Sequence, residues 1–179
     1  MEWEGLFADL EAQWEAQERR ELDAEVADRT RRERALVDLT ARLAAHRTGS
    51  VTLRLRAGDP LTGVIVDVGD GWLAMTRPRG STLVALAAVV GVEGLTSRSQ
   101  EAAAARRFGL GHALRGLSRD RATVTVLDVA GGQTTGTIDA VGSDHLEISL
   151  HHGDEPRREP NVRSRRAIPF AAVVSVSIA

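Results

Sequence analysis

Hydrophobic and polar residues alternate along two parts of the chain, and an alternation with a period of two is typical of half-buried β-strands. In the first part Val51, Leu53 and Leu55 alternate with polar residues, and a second apolar run covers 61–68. Three more short runs follow, with turn-forming Gly, Pro and Asp residues between them. The pattern predicts five short strands, with Gly63 at a β-bulge or sharp bend in the second strand.

The strand pattern occurs twice, because the chain contains an internal repeat. Residues 51–73 align without gaps on 124–146 at an offset of 73, and residues 84–92 align on 168–176 at an offset of 84. The second copy is therefore 11 residues longer, and the insertion falls in the loop sequence HHGDEPRREPNVRSR. The match predicts two homologous five-stranded domains.

The first quarter of the chain has apolar residues at helical spacing instead. Residues 3–46 contain no Pro and are rich in strong helix formers. The pattern predicts a helical arm over 1–47. Large apolar residues recur every three or four positions on one face of this helix and are candidates for contact with a partner: Trp3, Leu6, Phe7, Leu10 and Trp14.

The middle of the arm leaves two alternatives open. Residues 21–34 are almost entirely charged, and Thr30 with Glu33 has the spacing of a capping box from which a second helix would start. The arm is therefore either one continuous helix or two helices broken near 28–30. Its apolar face either docks on the chain's own strands or contacts another chain.

The glycine spacing of the two repeats carries a resemblance to a known family. Gly58-x4-Gly63-x-Ile65 and Gly131-x4-Gly136-x-Ile138 resemble the first motif of Sm-like proteins, the fold of bacterial Hfq and the Sm/LSm proteins. The likeness covers 49–95 and 121–178, about three fifths of the chain. It implies five-stranded, strongly bent barrels, each preceded by a helix. It also implies assembly by pairing of the fourth strand of one barrel with the fifth of the next, either within the chain or between chains.

The fold class expected from these patterns is therefore α+β, with a long N-terminal helical arm plus two tandem Sm-like five-stranded β-barrels joined by a helical linker. The expected boundaries are 1–47 for the arm, 48–96 for the first barrel, 97–120 for a basic helical linker and 121–179 for the second barrel. The element from Leu6 to Glu11 also resembles the start of a group of actinobacterial proteins, without implying a mechanism.

The resemblance breaks down at the residues that bind RNA in the family. The family's Asp and Asn positions hold Gly69 and Leu73 in the first copy and Gly142 and Leu146 in the second. The Arg-Gly or Lys-His pair of the family's second motif is replaced by alanine pairs. Aromatic residues for base stacking are also scarce, since they make up 3% of the chain. The usual base-binding pocket is expected to be absent from both copies.

The formal net charge of −2 is a sum of strongly charged segments. Residues 1–28 carry ten acids and two arginines, whereas 97–121 carry six arginines and two acids. The chain has no Lys, so every basic residue is Arg, which suits phosphate contacts. Alternatively, these are solvated loop charges, or they pair with the acidic segment 1–28. The candidates for contact with a nucleic-acid backbone are Arg77, Arg79, Arg106, Arg107, Arg157, Arg158, Arg163, Arg165 and Arg166.

Other chemistry is weakly represented. His145, His151 and His152 lie near Asp144 and Glu147, but histidines at a strand end are more often surface residues than metal ligands. The chain has no Cys and shows no phosphate loop, nucleophile elbow or dinucleotide motif. We therefore expect no enzyme activity, no catalytic residues, no metal, no cofactor and no small-molecule substrate.

The sequence predicts a non-catalytic binding or regulatory protein. Its apolar runs are too short to span a membrane, and its acidic start is unlike a signal peptide, so a cytoplasmic location is expected. One hypothesis is an adaptor that self-associates or binds a protein through barrel edges and the arm, in association with RNA or DNA machinery. The alternative is a pure protein-interaction scaffold that binds no nucleic acid.

Overall fold

The computed structural model describes residues 2–46, 49–95 and 105–178. The chain divides into two compact units, Met1–Asp38 and Leu39–Ala179. The first unit is a single helix, and the second holds both sequence repeats.

Helix α1 spans Glu2–Ala35 as one 34-residue element. It is continuous through 28–30, so of the two alternatives that the sequence left open, the structure has the single helix. The Asp28 carboxylate accepts hydrogen bonds from Arg31, at 2.7 Å, and from Arg32, at 3.0 Å. Ion pairs at these spacings stabilise the helical conformation across this turn.

Among its described residues, the second unit contains two short helices and eleven strands. Helix α2 spans Leu39–Ala45 and α3 spans Leu110–Asp120. Short 3₁₀ turns lie at Leu86–Ala88, Glu159–Asn161 and Phe170–Ala172. The strands are β1 Ser50–Leu55, β2 Leu61–Asp70, β3 Trp72–Arg77, β4 Gly80–Ala85, β5 Val89–Glu93, β6 Arg106–Gly109, β7 Thr123–Asp128, β8 Gln133–Val141, β9 His145–Leu150, β10 Ser164–Pro169 and β11 Val173–Ile178.

The strands form one large open sheet in the order β10-β9-β8-β7-β11-β4-β3-β2-β1-β5, with β6 parallel to β2 and the other pairs antiparallel. The predicted fold class, with two tandem closed five-stranded barrels beside a long helical arm, is therefore wrong. The cause is the pairing of β4 with β11, in which Leu83 lies opposite Val176. This long-range contact merges the two repeats into a single sheet.

The predicted helical linker over 97–120 is also corrected. Within the described residues, helix α3 begins only at Leu110, and the strand β6 precedes it. Residues 96–104 lie outside the described residues. The cause is a backbone pairing between β6 and β2 that places Gly69 opposite Arg106, so these linker residues complete a sheet rather than a helix.

The two repeats have the same internal strand order. In the first it is β5-β1-β2-β3-β4, and in the second it is β11-β7-β8-β9-β10. Equivalent side chains make equivalent contacts, since the hydroxyl oxygens of Thr52 and Thr62 are 2.8 Å apart and those of Thr125 and Thr135 are 3.0 Å apart. The offset of 73 therefore relates equivalent structural positions. The offset of 84 does so too, since the Leu86 N–H donates to the Gly71 carbonyl oxygen just as the Phe170 N–H donates to that of Asp144.

The bulge in each second strand is displaced from the predicted position. The register shift falls at Val66 in β2 and at Asp139 in β8, not at the glycines. Gly63 and Gly136 meet a different constraint, because an added Cβ would lie 2.4 Å and 2.0 Å, respectively, from a carbonyl oxygen of the facing strand. Each glycine thus permits close approach of two backbones.

The core extends across the junction of the repeats. Trp72 and Leu83 belong to the first repeat, yet they are buried in one cluster with Leu114 and Val176 of the second. The Trp72 indole also donates a hydrogen bond of 2.7 Å to the carbonyl oxygen of Phe108. Trp72 thus packs where the two repeats meet.

Candidate functional site

The two outer strands of the sheet, β5 and β10, are the candidate functional site. A strand at a sheet edge carries unpaired N–H and C=O groups that can pair with another strand. By the offset of 84, β10 is the equivalent of β4 and β5 is the equivalent of β11. The free edges are therefore second copies of the two strands that already pair inside the chain.

The β5 edge lacks the cover that β11 receives. Val90 has 63% of its surface exposed, whereas its equivalent Val174 is fully buried, at 0%. A surface cavity of about 280 Å³ lies beside β5 and is bordered by Leu39 and Leu95. The edge thus exposes apolar surface that its counterpart buries.

The β10 edge points alternate backbone groups outward. The Phe170 N–H donates a 2.7 Å hydrogen bond to the Asp144 carbonyl oxygen on the β9 side. Because backbone groups alternate along a strand, those of Arg165 and Ala167 point away from β9. Ala167 corresponds to Leu83, which faces Val176 inside the chain.

Pro169 does not close this edge. Proline removes a backbone donor and is one way in which proteins protect edge strands. However, Pro169 corresponds to Ala85, and the registered pairs between β4 and β11 end at Val84. By the same alternation, position 169 points outward, so a strand that joined β10 in the same register would lose one hydrogen bond at the end of the contact and keep those of Arg165 and Ala167.

Six of the nine candidate arginines make side-chain contacts within the described residues, which leaves fewer of them for phosphate. Three pair with carboxylates: Arg106 with Asp67, Arg157 with Asp139, and Arg165 with Glu159. The others contact side chains that are not carboxylates, Arg77 with Thr82, Arg163 with His152 and Arg166 with Thr134. Arg79, Arg107 and Arg158 are exposed.

The Arg157–Asp139 pair anchors the longer loop of the second repeat. Arg157 donates two hydrogen bonds to the Asp139 carboxylate, at 2.5 Å and 3.0 Å. These bonds, with a further one from the Ser149 hydroxyl, hold the pKa of Asp139 below its usual value despite partial burial. The Arg157 guanidinium is therefore engaged by a carboxylate within the chain, and Asp139 was not among the residues that the sequence singled out.

The expected contact face of the arm lies on α1. Trp3, Leu6, Phe7 and Leu10 are within the helix, and their side chains lie outside what the structure describes. Trp14 is 77% exposed.

The histidines serve local hydrogen bonding. His145 Nδ1 lies 2.8 Å from the Asp144 carboxylate, which lowers the pKa of Asp144. His151 is buried, with Nε2 at 2.9 Å from the Thr137 hydroxyl and Nδ1 at 2.7 Å from the His152 carbonyl oxygen. The described part of the chain contains no cluster of three or more metal-ligating side chains.

Sequence reasoning missed Glu93 at the end of β5. The signal that identifies it is the repeat itself, because the offset of 84 places Glu93 at the position of Ser177 and Arg166 at that of Thr82. Within the chain those two hydroxyl residues face each other across the β4–β11 contact.

Comparisons of the chain with protein-family models, with curated proteins and with solved structures find no match. Among the described residues, no helix is both long enough and apolar enough to cross a membrane.

Proposed function

We propose that the protein is a non-catalytic adaptor of the cytoplasm that assembles with further copies of itself through β5 and β10. In this proposal α1 is a second contact, available to a protein partner. The exposed Trp14, Leu22 and Val26 of α1 support that role, since large apolar side chains exposed on a helix are typical of interaction surfaces.

The observation that carries the proposal is the pairing of β4 with β11 inside the chain. Because β10 repeats β4 and β5 repeats β11, the same contact is available between β10 of one copy and β5 of the next. This contact joins two different surfaces, so it adds copies to a ring or a filament and does not stop at a dimer. The Sm-like resemblance implies the same pairing of fourth and fifth strands, which also favours the proposal.

Burial supplies the driving force in this account. Val90 would move from solvent into a position like that of Val174, which lies in an apolar cluster with Ala85 and Ala88. Burying a valine side chain stabilises an interface by roughly 1.5–3 kcal/mol. New backbone hydrogen bonds along the joined strands add specificity for an extended edge.

Nucleic-acid binding is the weaker function. Three of the nine candidate arginines are held by carboxylates, which compete with phosphate for the guanidinium groups. The pure protein scaffold is therefore the function that we favour.

The test is sedimentation velocity of the full chain from low to high micromolar concentration. We expect species larger than the 19.2 kDa monomer, with a population that rises with concentration. Ala167→Pro removes an outward-pointing N–H of β10 and is expected to abolish assembly, whereas the matched Ala167→Ser keeps the N–H and is expected to assemble. A wild-type chain that stays monomeric throughout, or an Ala167→Pro chain that assembles normally, would contradict the proposal.

A further inference from the structure

We infer that Arg166 and Glu93 form an ion pair between neighbouring copies, and that this pair determines the order and register in which the two edges join. The inference rests on the proposed function, because it concerns the same edges. It adds the residues that make the contact specific.

The register follows from the contact inside the chain. There Thr82 lies opposite Ser177, and their hydroxyl oxygens are 3.2 Å apart. The offset of 84 places Arg166 at the position of Thr82 and Glu93 at the position of Ser177. The β4–β11 contact within the chain has two neutral hydroxyl groups at this position. The proposed β10–β5 contact between copies would have an arginine opposite a glutamate there.

Both side chains are accessible in the single copy. Arg166 and Glu93 are exposed, whereas Thr82, which is covered by β11, is buried. Arg166 donates a 2.7 Å hydrogen bond to the Thr134 hydroxyl through one terminal nitrogen. A guanidinium carries five N–H donors, so the others can bind a carboxylate at the same time.

The same charges disfavour other ways of joining two copies, such as β10 against β10 or a shifted register. Pairing of β10 with β10 of another copy would bring the adjacent Arg165 and Arg166 against a second pair of arginines, and like charges directly opposite each other destabilise a sheet. A slip of two residues would place Glu93 opposite Ser164 or Ile168 and lose the ion pair. The pair therefore favours head-to-tail order in a single register.

A charge-swap series tests the pair by sedimentation velocity. Glu93→Arg alone places two arginines opposite each other, and Arg166→Glu alone places two carboxylates opposite each other. We expect each change to weaken self-association roughly 100-fold, because juxtaposed like charges at an interface cost several kcal/mol. The double variant E93R/R166E and an equimolar mixture of the two single variants restore opposite charges at every contact, and both are expected to assemble.

Arg158→Glu is the matched control, since it makes the same charge change at an exposed loop position outside β5 and β10. It is expected to assemble like the wild type, and circular dichroism checks that every variant is folded. Single variants that assemble normally, or a mixture that stays dissociated, would overturn the ion pair while leaving edge assembly intact. A wild-type chain that never self-associates would overturn both.

Discussion

Strands β5 and β11 occupy equivalent positions in the two repeats, and they differ in what lies beside them. Strand β11 lies between β7 and β4, and its residues Val173–Val176 are all buried. Among the described strands, β5 pairs with β1 alone, and its Val90 is exposed. The neighbouring strand β4, rather than the repeat itself, therefore buries this position. The proposed contact of β10 with β5 between copies would repeat the contact of β4 with β11 within the chain.

The largest expected difference between the repeats is at Trp72 and its equivalent His145. Trp72 is buried where the repeats meet, whereas the His145 side chain is 39% exposed. Trp72→Ala is expected to lower the free energy of unfolding by about 3–5 kcal/mol. His145→Ala is expected to change it by no more than about 0.5 kcal/mol. Urea unfolding of both variants measures the contrast, and similar losses at the two positions would contradict it.

The second prediction concerns a feature that the repeats share. Gly63→Ala and Gly136→Ala each force a Cβ against a carbonyl oxygen of the facing strand. Both are expected to lower the free energy of unfolding by about 1–3 kcal/mol. Gly116→Ala is the control, because nothing lies within 4 Å of its added Cβ in α3, and it is expected to stabilise by up to about 1 kcal/mol. If the protein tolerates alanine at only one of these two glycines, the two repeats are not structurally equivalent at this position.

The smallest expected effect on stability is at the bulge of the second strand. This position holds Asp139 in the second repeat and Val66 in the first. Asp139→Asn removes the charge that Arg157 binds and is expected to cost about 1 kcal/mol at neutral pH. Because Arg157 lowers the pKa of Asp139 in the folded chain, the stabilisation is complete above the unfolded value of about 3.9. It is lost as the pH falls through the lower folded pKa.

Unfolding curves of the wild type and of Asp139→Asn should therefore differ at neutral pH and converge in strong acid. Asp154→Asn removes an exposed acid from the same loop and is the control, with no expected change. A gap between wild type and Asp139→Asn that is independent of pH would show that the carboxylate charge does not matter.

Local sequence patterns predict where many of the strands lie but not how the strands pair into one sheet. Alternation and turn residues predicted β1 and β2 closely, since these features depend on neighbours in sequence. The β4–β11 contact joins residues far apart in the chain, and no local pattern distinguishes it from closure of each repeat on itself. That is why the predicted separate barrels were wrong.

The candidate arginines illustrate the same limit. Arg157 and Arg163 look alike in sequence, yet one binds Asp139 and the other contacts His152. Asp139 lies on β8, whereas His152 lies eleven residues before Arg163 in the same loop, so only the folded chain shows which partner each arginine has. The sequence left open whether the arm breaks near 28–30, and the structure has one helix there, in which Asp28 pairs with arginines one turn away.

The most direct test of edge assembly is an engineered disulfide, because the chain has no cysteine of its own. The register predicts that Ala167 of one copy lies opposite Val92 of the next, at a separation that a disulfide can bridge. Thr82→Cys with Ser177→Cys is the positive control, expected to close within one chain. Ala167→Cys with Val90→Cys, two residues out of register, is the negative control.

On a non-reducing gel after mild oxidation, Ala167→Cys with Val92→Cys should give a ladder of covalent multimers that the out-of-register pair does not give. A chain that stays monomeric on that gel while the Thr82–Ser177 control closes, or equal ladders from both registers, would contradict the claim that β10 and β5 repeat the contact of β4 and β11.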